Sequence, residues 1–188
     1  MNAERWNIPN SWSWTTAEDI AQIVGGGTPP TKDPANFSPN GIPWITPSDL
    51  TGYKEVYISR GARDLSEQGY RKCGAQLMPA GTVLLSSRAP VGYCVIAQND
   101  VCTNQGFKSL VLSDGLDSEY VRYYLLASKA YLESLASGTT FKELSGSRAS
   151  GITIPVAPTK NNPASLPSWT VFSSARAAPA RSCPMSRA

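Results

Sequence analysis

The densest apolar pattern in the chain lies between residues 81 and 112, where short aliphatic runs alternate with turn residues. The runs cover residues 81–87, 92–97 and 107–112 and are rich in valine, leucine and isoleucine. Runs of this length and composition, separated by Gly, Pro, Asn and Asp, are typical of β-strands. The pattern therefore predicts three strands with turns between them.

A second pattern, with a period close to 3.6 residues, predicts a long helix from residue 119 to about residue 136. Its apolar face comprises Val121, Tyr124, Leu125, Ser128, Leu132 and Leu135. Asp117 or Ser118 is a suitable N-terminal cap, and Gly138 is a natural stop at the C-terminal end. This face is most simply explained as packing against the core.

The rest of the chain predicts shorter elements. They are a helix ending near Ala21, a surface loop over residues 31–40, a buried segment with Ile42, Trp44 and Ile45, a strand at Tyr57 and Ile58, a helix over residues 67–73 capped by Ser66, and a final strand with Ile152, Ile154 and Val156. Thr15 with Glu18, and Thr16 with Asp19, resemble capping boxes for the first helix. We therefore expect a mixed α/β (α+β) fold, with a largely antiparallel or mixed sheet and peripheral helices.

Composition divides the chain near residue 158. The chain has 17 basic residues, and the four that follow residue 150 occur where there is no acidic residue, which leaves 13 basic and 14 acidic residues before that point. From Asn161 the sequence is rich in Pro, Ser and Ala and has no helical or strand period. Such a segment buries too little apolar surface to offset its ordering entropy. We expect one globular domain over residues 1–158 and an aberrant or disordered tail over residues 159–188, with a change of reading frame as one explanation.

Several classes of protein and site are disfavoured by the sequence. No window of 18 residues is apolar and the N-terminus has no apolar signal core, so we expect a cytoplasmic protein with no membrane contact. Histidine is absent, which removes Ser/His/Asp and Cys/His nucleophile systems. No Asp or Glu stands two residues before any lysine, so the nuclease pair of this spacing is missing. We expect no catalytic residue, no metal site and no cofactor.

The four cysteines are not arranged as a zinc site, because none of them forms a C-x-x-C pair. Cys94 and Cys102 flank a hairpin-like turn at residues 98–100. The sequence predicts that these two cysteines face each other across neighbouring strands and, in the cytosol, remain reduced.

Two polar loops carry the candidate chemistry. Residues 102–112 begin with Thr103, Asn104, Gln105 and Lys108, and residues 137–144 repeat a set of one glycine, hydroxyls, one aromatic residue and one lysine. Asn and Gln present a donor beside an acceptor, which suits base edges, although a polar hairpin shoulder is the simpler interpretation. A helix separates the loops, so they can lie side by side.

A third polar segment, residues 25–30, has three glycines before a threonine and two prolines. Its glycines can expose backbone N–H groups to an anion, although it matches neither G-x-G-x-x-G nor a P-loop. A plain loop is the alternative.

The motifs in order resemble a target recognition domain of the DNA specificity (S) subunit of type I restriction-modification systems. The resemblance rests on Trp12, Asp19-Ile20, and residues 26–29, 42–50, 79–92, 103–108, 137–144 and 152–156. It covers roughly residues 5–158. S subunits usually carry two such domains joined by long helices, whereas this sequence has one domain and no such helix after it, as in a half-subunit or a truncated product.

The resemblance implies sequence-specific binding of double-stranded DNA without catalysis. The implied partners are modification (methyltransferase) subunits, through them the restriction subunit, and a second copy of the chain if it is a half-subunit. An interaction module that does not guide DNA binding, or an inactive truncated fragment, is the alternative.

The candidate DNA contacts follow from these motifs. Phosphate contacts are expected from Lys108, Lys142 and the backbone at Gly27-Thr28 and Thr139-Thr140, and base contacts from Arg88, Asn104 and Gln105, with Ser48 completing the set. Arginine prefers guanine, and Asn or Gln prefers adenine. Structural hydrogen bonds are the alternative role for Asn104 and for Asp49. Loops 31–40 and 52–63 are the alternative base readers.

Overall fold

A computed structural model describes residues 6–138 and 142–158. The strands are β1 Ser13–Thr16, β2 Ala21–Gly25, β3 Phe37–Ile45, β4 Tyr57–Ile58, β5 Arg63–Leu65, β6 Val83–Leu85, β7 Cys94–Ala97, β8 Cys102–Thr103, β9 Lys108–Leu112 and β10 Thr153–Val156. The α-helices are α1 Ala17–Ile20, α2 Glu67–Arg71, α3 Ser118–Ala127, α4 Lys129–Leu135 and α5 Gly146–Ser150, and 3₁₀ turns cover Pro34–Asn36 and Pro47–Leu50. The expected mixed α/β fold with a mixed sheet is confirmed.

The strands form three sheets in the described part of the chain. The largest has the order β2-β9-β6-β7-β4, in which only the β7–β4 pair is parallel. A second sheet, β5-β3-β8, pairs β3 antiparallel with β5 and parallel with β8. A two-stranded antiparallel ribbon, β1 with β10, brings the beginning of the described chain to its end.

The large sheet is buried on both faces. Val83 and Leu85 pack with α3, α4 and α5 in one core, whereas Leu84 packs on the opposite face in a second core with Phe107. A central strand covered on both sides must be apolar at every position. This explains why all three residues of β6, Val83 to Leu85, are aliphatic and show no alternation.

Local capping bonds form where the sequence predicts them. Asp19 accepts the Thr16 N–H at 3.0 Å and the hydroxyls of Thr15 and Thr16. The bonds from Thr16 hold the pKa of Asp19 below its ordinary value. Ser66 accepts the Gly69 N–H at 3.0 Å. The capping box of Thr16 and Asp19 is confirmed, as is the cap by Ser66.

Three expected boundaries are corrected, and strand β2 is an element that the sequence did not indicate. The segment after α1 is strand β2, because Ala21 to Gly25 pair antiparallel with β9. The loop expected over residues 31–40 ends at Phe37, where β3 begins. The expected long helix is broken at Ser128, which lies outside α-helical geometry at ψ 20°. The helix capped by Ser66 ends at Arg71, two residues before the predicted end at residue 73.

The predicted hairpin between Cys94 and Cys102 is wrong. Cys94 lies on β7 in the large sheet, whereas Cys102 lies on β8 and pairs with Trp44 of β3. The chain leaves the large sheet between these cysteines, since Val101 forms an isolated bridge with Met78. Both thiols are free, and burial raises the pKa of each to about 12.

No helix among the described residues is long and apolar enough to cross a membrane. The tail expected over residues 159–188 lies outside the described residues.

Candidate nucleic-acid interface

Five segments that are distant in sequence meet beside one end of the large sheet. They are residues 26–28, 46–49, 86–88, 103–108 and 142–144, and we call them together the loop junction. Each segment follows or precedes a strand, helix or 3₁₀ turn, so the loops are held by regular structure. Such an arrangement is common at binding surfaces, where mobile backbone would weaken recognition.

The glycine segment packs directly on the backbone of the Asn104 loop. The Gly27 N–H donates to the Thr103 carbonyl at 2.9 Å, and the Trp44 indole N–H donates to the Gly27 carbonyl at 3.0 Å. A Cβ atom at Gly26 would lie 2.1 Å from the carbonyl oxygen of Asn104. Residue 26 therefore has to be glycine, because no side chain fits between the two loops.

Ser87 joins the two polar loops that the sequence singled out. Its N–H donates to the Gly106 carbonyl at 2.7 Å, and its carbonyl accepts the Leu144 N–H at 2.9 Å. The loops 102–112 and 137–144 therefore lie on either side of the strand end at Ser87. Their predicted proximity is confirmed.

Arg88 is held by a carboxylate that the sequence did not indicate. Its Nη1 lies 3.6 Å from Glu143 Oε2, and the two side chains are 38% and 43% exposed. Arg88 is thus partly exposed, and it forms an ion pair with Glu143. Lys142 beside Glu143 is exposed.

A bridge between Ser137 and Glu143 closes the segment that carries Thr139 and Thr140. Those two threonines lie outside the described residues.

The two amides of the junction have different surroundings. Asn104 is half-buried, and its Oδ1 accepts the Gly106 N–H at 2.8 Å. Gln105 is exposed, and its Oε1 accepts the hydroxyl hydrogen of Thr28. Lys108 is half-buried and donates to the Phe107 carbonyl at 3.3 Å. Asn104 therefore has the structural bond that the sequence left open, while its amide nitrogen keeps two hydrogens.

Asp49 has a structural role. Its Oδ2 accepts the Thr46 N–H at 2.7 Å and the Thr46 hydroxyl at 2.8 Å, and its Oδ1 accepts the Ala62 N–H at 2.9 Å. These bonds fix the 3₁₀ turn that carries Ser48, which is exposed. Thr46 is the N-terminal cap of this turn, and Asp49 completes a capping box with it.

A further cation lies on the neighbouring three-stranded sheet. The guanidinium of Arg63 stacks 4.1 Å from the ring centroid of Phe37, and Arg63 is exposed. These residues belong to the loops 52–63 and 31–40 that the sequence proposed as alternative base readers. The contact joins residues 26 positions apart, and no local signal pointed to it.

No group of three His, Cys, Asp or Glu side chains that could hold a metal ion occurs within residues 6–138 and 142–158. The thiols of Cys94 and Cys102, with a pKa of about 12, are protonated at neutral pH. The junction offers hydrogen-bond donors, cations and two carboxylates, which are both engaged within the protein. This chemistry suits binding of a polar, negatively charged polymer more than bond cleavage.

Comparison with known proteins also indicates a DNA-binding function. The family profile described as type I restriction modification DNA specificity domain matches residues 9–163. The type I restriction enzyme MjaIX specificity subunit of Methanocaldococcus jannaschii is 44% identical over 151 residues, which are 79% of this chain and 34% of that protein. The chain thus spans about a third of the length of this relative.

Solved structures share the fold. A chain from a study of complex assembly and conformational transition of the type I R-M system has a TM-score of 0.62 at 23% identity, covering 82% of this chain and 36% of that one. The crystal structure of the HsdS subunit from Thermoanaerobacter tengcongensis has a TM-score of 0.58 at 23% identity, covering 84% and 36%. Because the family profile covers most of its residues, the chain belongs to the family of type I restriction modification DNA specificity domains.

Proposed function

We propose that the chain is a DNA target recognition domain, which binds one half of a split duplex sequence through the loop junction. The observation that carries the proposal is the convergence at Ser87, whose two backbone bonds join the loops of Gly106 and Leu144. Amides, hydroxyls and cations from distant segments thereby share one surface. Family membership and the similarity to specificity subunits of type I restriction enzymes support the same function.

The proposal divides the junction residues by the chemistry of their side chains. Lys108, Lys142 and the backbone of Gly27 and Thr28 contact phosphates and position the domain, together with Thr139 and Thr140. Arg88, Asn104 and Gln105 contact base edges, and Ser48 contributes a hydroxyl from the 3₁₀ turn. Phosphate contacts give affinity without sequence information, whereas donors and acceptors in the major groove distinguish base pairs.

A local surface has to provide the binding energy. Residues 1–150 carry 13 basic and 14 acidic side chains, so the domain as a whole does not attract DNA. Binding through a few well-placed groups predicts a shallower salt dependence than binding through a broad basic surface.

The chain is proposed to act without catalysis of its own. It would guide modification (methyltransferase) subunits and, through them, a restriction subunit in the cytoplasm. The recognition domain is placed at residues 1–158 and the tail at residues 159–188. A second copy of the chain is the proposed source of the other half-site reader.

Selection from randomised duplex DNA, at two salt concentrations, tests this proposal. Enrichment of one short motif whose binding survives the higher salt is the expected result. Binding that enriches no motif and disappears at the higher salt would contradict it, because phosphate attraction alone behaves in this way. If motif-specific binding is found, gel filtration with a modification subunit then tests the proposed partner.

A further inference from the structure

The two amides at the centre of the loop junction both use their oxygen for a hydrogen bond within the protein. Asn104 Oδ1 accepts the Gly106 N–H at 2.8 Å, and Gln105 Oε1 accepts the hydroxyl hydrogen of Thr28. In both side chains the oxygen is engaged within the protein and the NH₂ group is left for a ligand. We infer that Asn104 and Gln105 present hydrogen-bond donors to DNA, and that Thr28 is the positioning residue that fixes Gln105 in this orientation.

This orientation changes what the amides can recognise. An Asn or Gln that reads adenine uses its NH₂ group for N7 and its oxygen for the N6 amino group. An amide oxygen that already accepts one bond can read adenine only with its second lone pair, whose direction the existing bond fixes. The NH₂ group instead suits an acceptor without a donor beside it, such as a phosphate oxygen or the O6 and N7 atoms of guanine. The inference rests on the proposed function and revises the adenine preference expected from residue type.

The charged neighbours agree with a surface of donors. Lys108 and Lys142 add ammonium groups, and the guanidinium of Arg88 adds further donors. The junction has two acidic side chains: Glu143 is paired with Arg88 at 3.6 Å, and Asp49 accepts bonds from Thr46 and Ala62. A ligand rich in acceptors meets complementary groups here, and the two carboxylates, both engaged within the protein, are the exceptions.

Thr28 provides a matched pair of variants. Thr28→Ser keeps the hydroxyl, whereas Thr28→Val keeps the shape and removes it. Thr28 is only partly buried, so both variants are expected to fold, which thermal unfolding checks. We expect Thr28→Val to weaken DNA binding about 2- to 10-fold, the range of one ordinary hydrogen bond. Thr28→Ser, which keeps the hydroxyl, is expected to bind more tightly than Thr28→Val.

Selection from randomised duplex DNA with both variants and with Gln105→Glu distinguishes the two acceptors. If Gln105 contacts guanine, Thr28→Val and Gln105→Glu change base preference at one position and leave the others. If it contacts phosphate, both variants lower affinity for all sequences by one factor, and the preferred motif is unchanged. The inference would be overturned if the parent chain preferred adenine at a position where Gln105→Glu changes the preference and Thr28→Val does not. Equal binding by Thr28→Val and Thr28→Ser would also overturn it.

A measurement on the free protein separates failure of this inference from failure of the proposed function. NMR relaxation of the Gln105 side-chain NH₂ group should show a restricted side chain in the parent chain and in Thr28→Ser. It should show a mobile side chain in Thr28→Val. This result stands whether or not the chain selects a DNA sequence. A freely rotating Gln105 amide in the parent chain would remove the positioning role of Thr28.

Discussion

Replacing Glu143 with Gln should strengthen DNA binding. Arg88 cannot give its guanidinium fully to guanine or phosphate while it is paired with this carboxylate. DNA binding therefore has to overcome roughly the free energy of the Arg88–Glu143 ion pair. Glu143→Gln removes the negative charge, keeps a side chain of the same size and leaves the backbone bridge to Ser137 in place.

The size of the effect follows from the geometry of the pair. The Nη1 to Oε2 distance is 3.6 Å and both side chains are about two-fifths exposed. Pairs of this kind contribute about 0.2 to 1 kcal/mol, because water and salt screen them. If Arg88 leaves Glu143 on binding, the variant should bind about 1.4- to 5-fold more tightly. Loss of a carboxylate near phosphates acts in the same direction.

Fluorescence anisotropy with the selected duplex measures this gain, and the chain offers a matched control. Glu67 and Arg71 form another pair at 3.6 Å on α2, outside the loop junction. Glu67→Gln makes the same change in net charge and should leave affinity within the error of the measurement. In an Arg88→Ala background the gain from Glu143→Gln should shrink, as in a double-mutant cycle. Unchanged or weaker binding by Glu143→Gln, or an equal gain from Glu67→Gln, would refute the reasoning.

Three further predictions concern the stability of the domain. Gly26→Ala should lower the free energy of unfolding, measured in urea, by about 1 to 3 kcal/mol and weaken DNA binding, because its Cβ would lie 2.1 Å from a carbonyl oxygen. Gly25→Ala is the control: its Cβ would enter open space, so stability should change by less than about 0.5 kcal/mol. Asp49→Ala should cost about 2 kcal/mol by the same measurement, since a carboxylate with three donors is lost, and a stability equal to that of the parent would contradict its structural role. Burial raises the pKa of Cys94 and Cys102 to about 12, so both thiols bind their protons more tightly in the folded state than in the unfolded state. Their contribution to stability should therefore be full below pH 9 and fall as the pH rises towards 12, by up to about 1.4 kcal/mol per pH unit per thiol. Thiol labelling of the folded chain at neutral pH should spare both cysteines, and rapid labelling would show that they are not buried.

Local sequence was sufficient for elements whose pattern is set by their own neighbours. The strand runs around Val83 and Leu110 and the cap of Asp19 on Thr16 depend on residues close in sequence. The break at Ser128 was not visible, because the apolar face of the helix continues across it. Strand β8 was missed for a different reason. It has two residues, and its partner Trp44 lies 58 positions earlier in the chain.

In the candidate site, too, local features could be predicted from the sequence and long-range contacts could not. Motif order indicated the loops, and residue type indicated which side chains were polar. Neither showed that Thr28 contacts Gln105 or that Arg88 contacts Glu143, because these pairs are 77 and 55 positions apart. The sequence also left open whether Asn104 and Asp49 make structural hydrogen bonds, and both do. The direction of a side chain is set by tertiary contacts, which a single sequence does not record.

The central claim is that the loop junction is the surface that contacts DNA. Chemical-shift mapping of the full chain with the selected duplex, and with a scrambled duplex as control, tests it most directly. We predict that the largest changes fall on residues 26–28, 86–88 and 103–108, and that the exposed face of α3 at Tyr123 and Leu126 stays unchanged. Changes centred on that helix face, with an unperturbed junction, would contradict the claim.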